Sequence, residues 1–559
     1  MTPLGPQLAR HIRWAIVISL LVNAASLFTP IINEGDSVLY AALSQHIALT
    51  GNWGDLVLDH MDWLDKPHFP FWVTALFFKI GGVSTFNYIL PGFLFHLLAS
   101  YYTYRIARLF YGRDVGLIAL LMVVSTYHLM YTSSAIKAEA FLTGSITAAC
   151  YYWLRFEAHA KAKYLLLGAM FSAISVMTKG IFTLITIASG LACVWIYRRQ
   201  WRNFVSGKWL LALVMSLLFT FPEVLALYLQ FDTHPEKVVF GKTGVSGIRF
   251  FLWDSQFGRF FNSGPIKNQE GTPLYFVHVF IWAFLPWVAA FVAAIASGAR
   301  ALPQQTVEER AKFVFLCASF FVTFALFSAT AFQLDYYTVI LFPFAIILCA
   351  QYLAQWLQRA STPFFIAQIG IILFVLTLTF SMAVYVGNPW LLGLMVVMAT
   401  ALVLYAAVKR QHFLRFTAVI YPVMTVCMLY LFLEGMTLSA YLRYAVAYNV
   451  NQLLAQDRST PVYVYQLDSI VAWELGIYRS AASEGVQTVE QLPRKGAPYL
   501  LVIKESQLTA LEGMPVRTEV LAQGDWVDHK TGTLPRQLKL AKGTEPLEPM
   551  RLLKVTPQP

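Results

Sequence analysis

Long apolar runs separated by short polar connections fill the chain up to about residue 436. A helix that crosses a bilayer needs roughly 17–25 mostly apolar residues. Runs of that kind cover 11–31, 88–110, 114–132, 138–156, 163–178, 181–198, 208–230, 272–297, 313–331, 335–357, 362–386, 389–407 and 415–436. They predict an α-helical polytopic membrane protein with about 13 transmembrane helices. The run 70–82 is too short to cross and reads as a juxtamembrane or re-entrant helix. From 437 to 559 the material changes. Alternating runs at 462–465 and 499–503 read as strands, and 470–478 and 505–512 as helices between them. This part is predicted to be a soluble α/β domain, with a candidate hairpin over 524–543.

Composition agrees with the membrane reading. Of 559 residues, 58% are hydrophobic and 13% charged. That excludes intrinsic disorder, which needs low hydrophobicity and high charge. It also excludes a purely soluble enzyme, which would carry about 25% charge. The net charge is +11. Nucleic-acid binding would use such a surplus, but so would the cytoplasmic loops of a membrane protein. The position of the cations decides. Arg10 and Arg13 precede the first run, and every second loop is basic: Arg105, Arg108 and Arg113; Arg155, Lys161 and Lys163; Arg198, Arg199, Arg202 and Lys208; Arg300, Arg310 and Lys312; Arg359; Lys409, Arg410 and Arg415. The N-terminus is therefore assigned to the cytoplasm, with 14–32 as a retained first span. The large loops 33–87 and 231–271 and the region 437–559 are assigned to the opposite side, and no nucleic acid is needed. The five cysteines all lie within apolar runs and read as small buried hydrophobes.

Several charges stand on the side that the basic loops avoid. The cations are Lys66, Lys137, Lys179 and Arg259, and the carboxylates are Glu34, Asp36, Asp65, Glu139 and Asp254. Charges at a membrane edge need a partner, water or a function. Lysine and arginine bind phosphate, and a carboxylate can take a proton from a hydroxyl or hold a metal. The set suits a reaction on a lipid-linked phosphate. The chain has no P-loop and no dinucleotide fingerprint, so the energy would come from an activated donor already in the membrane.

The ordered motifs carry a family likeness. Asp36-Ser37-Val38-Leu39-Tyr40-Ala41 opens the first outer loop, followed by Thr50-Gly51-Asn52-Trp53 and Asp65-Lys66-Pro67-His68-Phe69-Pro70-Phe71-Trp72. Lys137-Ala138-Glu139, Thr178-Lys179-Gly180, Phe257-Gly258-Arg259-Phe260, Pro273-Leu274-Tyr275, Leu285-Pro286-Trp287 and Asp335-Tyr336-Tyr337 come after them in order. Together they resemble GT-C glycosyltransferases of the protein O-mannosyltransferase superfamily, and among these the bacterial lipid A aminoarabinose transferases. The departures are Asp36-Ser37 for an acidic pair, Lys-x-Glu for Arg-x-Asp, Lys-Pro-His-Phe for Lys-Pro-Pro-Leu, and Phe332-Gln333-Leu334-Asp335 for Ser-Lys-Leu-Pro.

The resemblance implies an inverting transferase that moves a sugar from a polyprenyl-phosphate donor to an extracytoplasmic acceptor, lipid A or another envelope glycolipid. It places the chain in a bacterial inner membrane with a periplasmic site. Asp36 is the candidate catalytic carboxylate, with Glu34 in reserve and Glu139 as the second acidic position. Lys66 and Arg259 are the candidate phosphate ligands, joined by Lys137 and Lys179. Asp65, Asp254 and His68 are candidate ligands for a divalent metal (Mg²⁺, Mn²⁺ or Zn²⁺). Tyr127, His128 and Tyr131 read as an aromatic belt, and 231–271 as a lid over the donor. A flippase of a lipid-linked saccharide, a protein O-glycosyltransferase and a polysaccharide ligase stay open as alternatives. Glu223, an acid inside a span, favours transport.

Overall fold

The computed structural model describes residues 4–29, 32, 35–58, 61–134, 138–267, 271–359, 362–408, 413–444, 459–467, 469–477, 483–526 and 533–558. In chain order the membrane part is built from α1 (Pro6–Ala25), α2 (Gly35–Thr50), the strands β1 (Val57–Leu58) and β2 (Met61–Asp62), α3 (Phe69–Gly81), α4 (Thr85–Tyr111), α5 (Arg113–Val124), α6 (Tyr127–Ser134), α7 (Ala138–His159), α8 (Ala162–Lys179) and α9 (Thr183–Tyr197). It continues with α10 (Gly207–Phe219), α11 (Phe221–Leu227), α12 (Gly247–Arg249), α13 (Ser255–Phe260), α14 (Tyr275–Ala283), α15 (Val288–Ala301), α16 (Val307–Ala329), α17 (Phe342–Arg359), α18 (Thr362–Val386), α19 (Pro389–Val408) and α20 (Phe413–Tyr444).

Each predicted span falls on one of these helices or on a bent pair of them. Among the described residues six helices are long and apolar enough to cross a membrane, and three bent pairs raise this to nine. The bends are 57° between α5 and α6, 41° between α10 and α11, and 113° between α14 and α15. Pro222 and Pro286 sit at the second and third, where the missing N–H and the ring end one helix before the next begins. The protein is a multi-pass membrane protein. Apolar side chains that face outward, such as Leu213, Val214, Val397 and Val403, are what lipid-facing helices require. The short run at 70–82 is α3, a helix of 13 residues.

The chain beyond α20 folds into a sheet. Its elements are β3 (Val462–Tyr465), α21 (Ser469–Ile477), β4 (Ser483–Val486), β5 (Tyr499–Lys504), β6 (Val516–Trp526), α22 (Leu534–Lys542) and β7 (Glu548–Pro557). The strand order is β4-β3-β5-β7-β6, parallel on the β3 side and antiparallel around β7. The stretch 505–511 is a 3₁₀ helix. The expected hairpin at 524–543 is not seen among the described residues: 524–526 belong to β6 and 534–542 form the helix α22, while 527–532 lie outside the described residues. Leu538 and Ala541 of α22 pack on the membrane-helix core, and Leu540 packs with Ala440 of α20. A helix with one apolar stripe can make that contact, while a hairpin would leave these side chains in water. The last membrane helix also runs on to Tyr444, past the predicted limit of 436.

Two contacts bring the sheet region to the outer loop. Gln45 of α2 donates to the carbonyls of Gly476 (3.0 Å) and Ile477 (3.1 Å) at the end of α21. Ile477 is buried in the cluster formed by α2 and α3, with Trp473 beside it.

Candidate functional site

The site grows from the loop between α2 and α3. Asp36 lies in the first turn of α2, where the helix dipole favours an acid. Val38, Ala41 and Leu43 of α2 are buried with Phe71, Ala75 and Phe78 of α3. Tyr40 meets Phe71 edge to face at 5.1 Å. The Trp72 indole donates to the carbonyl of Trp53 at 2.7 Å, which closes the loop over α3. The second large loop fastens this one from outside. Gln230 pairs with both backbone groups of Leu56, at 3.1 and 2.9 Å, and donates to Asp62 at 2.9 Å. Asp232 accepts from Ser246 and from the N–H groups of Gly247 (3.0 Å) and Ile248 (3.2 Å). Leu64 is thereby buried with Val176, Leu227, Phe250 and Phe251.

The charges meet where these pieces converge. Asp65 accepts from Lys66 at 2.5 Å and is paired with Arg259, which also donates to the Asp65 carbonyl at 3.2 Å. Burial would raise the Asp65 carboxyl, but the charges and hydrogen bonds of Lys66 and Arg259 hold it below the usual range. Burial and the charge of Arg259 push the Lys66 ammonium down, and Asp65 only partly restores it. One carboxylate thus serves two cations, and the excess positive charge favours an anion.

A second pair sits beside this one. Lys179, the last residue of α8, is paired with Glu139 in the first turn of α7. Lys179 lies 3.7 Å above the ring of Tyr337 and 5.9 Å from that of Tyr336. The Lys-Gly step has a steric cause. Gly180 has φ +105°, and a Cβ there would lie 2.1 Å from the amide of Gln256. That amide donates to the Lys179 carbonyl at 3.4 Å and ties α8 to α13. Asp36 accepts from the Tyr336 hydroxyl at 3.5 Å and is exposed. Among the described residues Asp65 and Glu139 are bound by cations while Asp36 is in no ion pair.

Two cavities share this floor. A smaller one is lined by Asp65, Lys66, Lys179, Glu223, Gln256 and Arg259. A larger one has Lys179 and Arg259 at its polar part and Leu142, Phe182, Phe327 and Ile340 among its apolar walls.

The structure therefore brings together Asp36, Asp65, Lys66, Glu139, Lys179 and Arg259. Glu34 and Lys137 lie outside the described residues. His68 and Asp254 go elsewhere. His68 is fully buried, and so is Glu223, which accepts from its backbone N–H and faces its Nδ1, both at 3.0 Å. Its Nε2 faces the Gly54 carbonyl at 3.1 Å. Both ring nitrogens are thus engaged, and neither is left for a metal. Asp254 pairs with Arg249 at 3.3 Å. The three candidate metal ligands do not converge, and no group of three such side chains is found among the described residues.

The Glu223–His68 pair also accounts for the acid inside a span: it fastens the Lys66 loop to α11. Removing one partner of a buried pair strands the other. His68→Ala and Glu223→Gln are each expected to cost about 3–5 kcal/mol. A melting temperature in detergent that matches wild type would remove this role.

Sequence reading did not single out Tyr336, Tyr337 and Gln256 as site residues. The tyrosine doublet at the head of a span was the available signal. Gln256 has none, because its role depends on the fold.

A family model described as dolichyl-phosphate-mannose-protein mannosyltransferase matches residues 65–225. An undecaprenyl phosphate-alpha-4-amino-4-deoxy-L-arabinose arabinosyl transferase of Proteus mirabilis is 23% identical over 336 residues, 58% of this chain and 56% of that one. Its counterpart in Edwardsiella ictaluri is 26% identical over 48% of this chain and 46% of its own. The chain thus spans about half the length of the curated relatives it matches. In three dimensions the match extends over nearly the whole chain. The crystal structure of ArnT from Cupriavidus metallidurans bound to undecaprenyl phosphate is 18% identical, covers 97% of both chains and superposes with a TM-score of 0.71. The apo form gives 0.72. The chain has the GT-C fold and is related in sequence to the aminoarabinose transferases.

Proposed function

We propose that this protein transfers a sugar from a polyprenyl-phosphate donor to an acceptor, lipid A or another envelope glycolipid, at the outer face of a bacterial inner membrane. One observation carries the reading: an apolar cavity ends on Lys179 and Arg259, and Lys66 beside it is within electrostatic reach of Asp36, a carboxylate in no ion pair among the described residues. A prenyl tail fits the apolar walls and a phosphate fits the cations. The relatives' names supply the same donor class.

In the proposed step, Lys66 and Arg259 hold the donor phosphate. The acceptor oxygen forms a bond to the anomeric carbon as the bond from that carbon to the phosphate oxygen breaks. Negative charge gathers on the departing lipid phosphate, where two fixed cations stabilise it. For a hydroxyl acceptor, Asp36 takes the proton. For a phosphate acceptor no base is needed, and Asp36 orients the acceptor. A flippase would want a carboxylate free within the bilayer, and Glu223 is bound to His68 instead.

Mass spectrometry of lipid A, glycans and envelope proteins from cells with and without this protein tests the proposal. A sugar-sized mass difference on one of these classes is expected, with lipid A first. Lipid movement across vesicles by the purified protein, with no covalent transfer to any acceptor, would replace the transferase reading by transport.

A further inference from the structure

At the end of the bundle opposite the site, α4 and α7 line a further, polar cleft. α7 begins at Glu139 by the site and reaches this cleft at Tyr151 and Arg155. The lining is three arginines and three tyrosines: Arg105, Arg108, Arg155, Tyr101, Tyr104 and Tyr151.

The arginines are held, but by hydroxyls and rings. Arg105 donates to both the Tyr101 and the Tyr151 hydroxyls and lies 5.4 and 4.8 Å from their ring centres. Arg108 donates to Tyr104 at 3.4 Å. Arg155 donates to Tyr164 at 3.1 Å, and its buried Nε has no hydrogen-bond partner. None of the three pairs with a carboxylate among the described residues. The nearby acid, Glu157, is taken up by Lys208 at 2.8 Å and by Trp195 at 3.2 Å.

Two consequences follow. Three uncompensated guanidinium groups make the cleft strongly positive. Each tyrosine oxygen that accepts from an arginine keeps its own O–H free to donate, so the cleft offers hydroxyl donors as well as guanidinium N–H groups. Both kinds match the oxygens of a phosphate, and arginine does so through a planar fork. Leu109 completes the lining and is exposed, as is Tyr101, so the cleft is open at the surface of α4.

We infer that this cleft is a binding site for the phosphate head group of an anionic membrane phospholipid, in the leaflet opposite the catalytic site. The exposed Leu109 and Tyr101, on a helix whose apolar run the sequence assigns to a span, favour a lipid over a soluble anion. α7 and α8 pack along their length and carry Glu139 and Lys179 at their far ends, so an occupant would brace the helices that hold that pair.

The test is native mass spectrometry of the purified full-length protein in mixed micelles. These hold phosphatidylglycerol and phosphatidylethanolamine of the same chain length in equal amounts. Wild type is expected to retain phosphatidylglycerol preferentially. The triple variant Arg105→Gln, Arg108→Gln, Arg155→Gln is expected to retain at least about tenfold less. A control triple, Arg199→Gln, Arg202→Gln, Arg300→Gln, removes three exposed arginines from the same end and is expected to behave as wild type. Tyr151→Phe, which deletes one hydroxyl and leaves the charge, is expected to lose part of the preference and covers the case in which the triple variant does not fold. Equal retention of the two lipids by wild type, or an equal loss in both triples, would overturn the site. Displacement of the lipid by excess inorganic phosphate would assign the cleft to a soluble anion and overturn the lipid.

Discussion

Replacing Asp36 by asparagine is expected to slow sugar transfer to a hydroxyl acceptor about 10²- to 10⁴-fold, the usual worth of a positioned general base. Asparagine keeps the shape and an oxygen for the Tyr336 hydroxyl, which lies 3.5 Å away. It cannot take a proton. The choice of Asp36 over its neighbours rests on occupancy. Asp65 and Glu139 are both bound by cations, and a carboxylate so bound is a poor base. Asp36 is exposed and in no ion pair among the described residues. Binding of undecaprenyl phosphate should survive the exchange, because the proposed phosphate contacts belong to other side chains. Transfer and donor binding measured side by side separate the two roles. Undiminished turnover in Asp36→Asn would end the assignment, and a modest loss would point to an acceptor that is itself a phosphate.

The second large effect is expected on donor affinity. Lys66→Ala removes one of two cations held by one carboxylate, and Arg259→Ala removes the other. Truncating one partner of a hydrogen-bonded, largely buried charge pair costs about 2–5 kcal/mol, so undecaprenyl-phosphate binding should weaken by about 30-fold or more. Arg259→Lys should rescue only part of it, because a point charge replaces a fork. Asp65→Asn tests the same cluster from the acid side. The folded Asp65 carboxyl is held low, so its contribution to stability is present above the ordinary carboxylate range and is lost as pH falls through the folded value. The stability gap between wild type and Asp65→Asn should therefore be widest near neutral pH and should close on acidification below about 4. Thermal melting across that range, with binding at pH 7, checks both parts. Wild-type affinity in Lys66→Ala and Arg259→Ala together would remove the phosphate from this place.

Much of this was legible in the order of residues. Apolar run length located the spans, because a backbone in lipid is satisfied only by a helix or a closed barrel, and runs of this length are helical. Charge against the positive-inside pattern singled out Lys66, Lys179 and Arg259, because a cation on that side needs a reason. Pairing was not legible. Asp65 and Lys66 are adjacent, but Arg259 reaches them from 194 residues away. His68 looked like a ligand by its neighbours in sequence, and its partner Glu223 lies 155 residues on. The helix at 534–542 was missed because two glycines and a polar run resemble a turn until the membrane helices supply a surface for Leu538 and Ala541. Gln256 was invisible because it acts by touching a glycine that has no side chain to advertise it.

The bond between His68 and Glu223 also constrains how such a chain changes over generations. Proline at position 68 would offer Glu223 neither a backbone N–H nor an imidazole. A lineage that exchanges either residue alone must pass through a protein with an orphaned carboxylate or an unmatched imidazole sealed from water. The two positions are therefore expected to change together. The Lys-Pro-His-Phe motif is then less a tolerated misspelling than one half of a two-letter word.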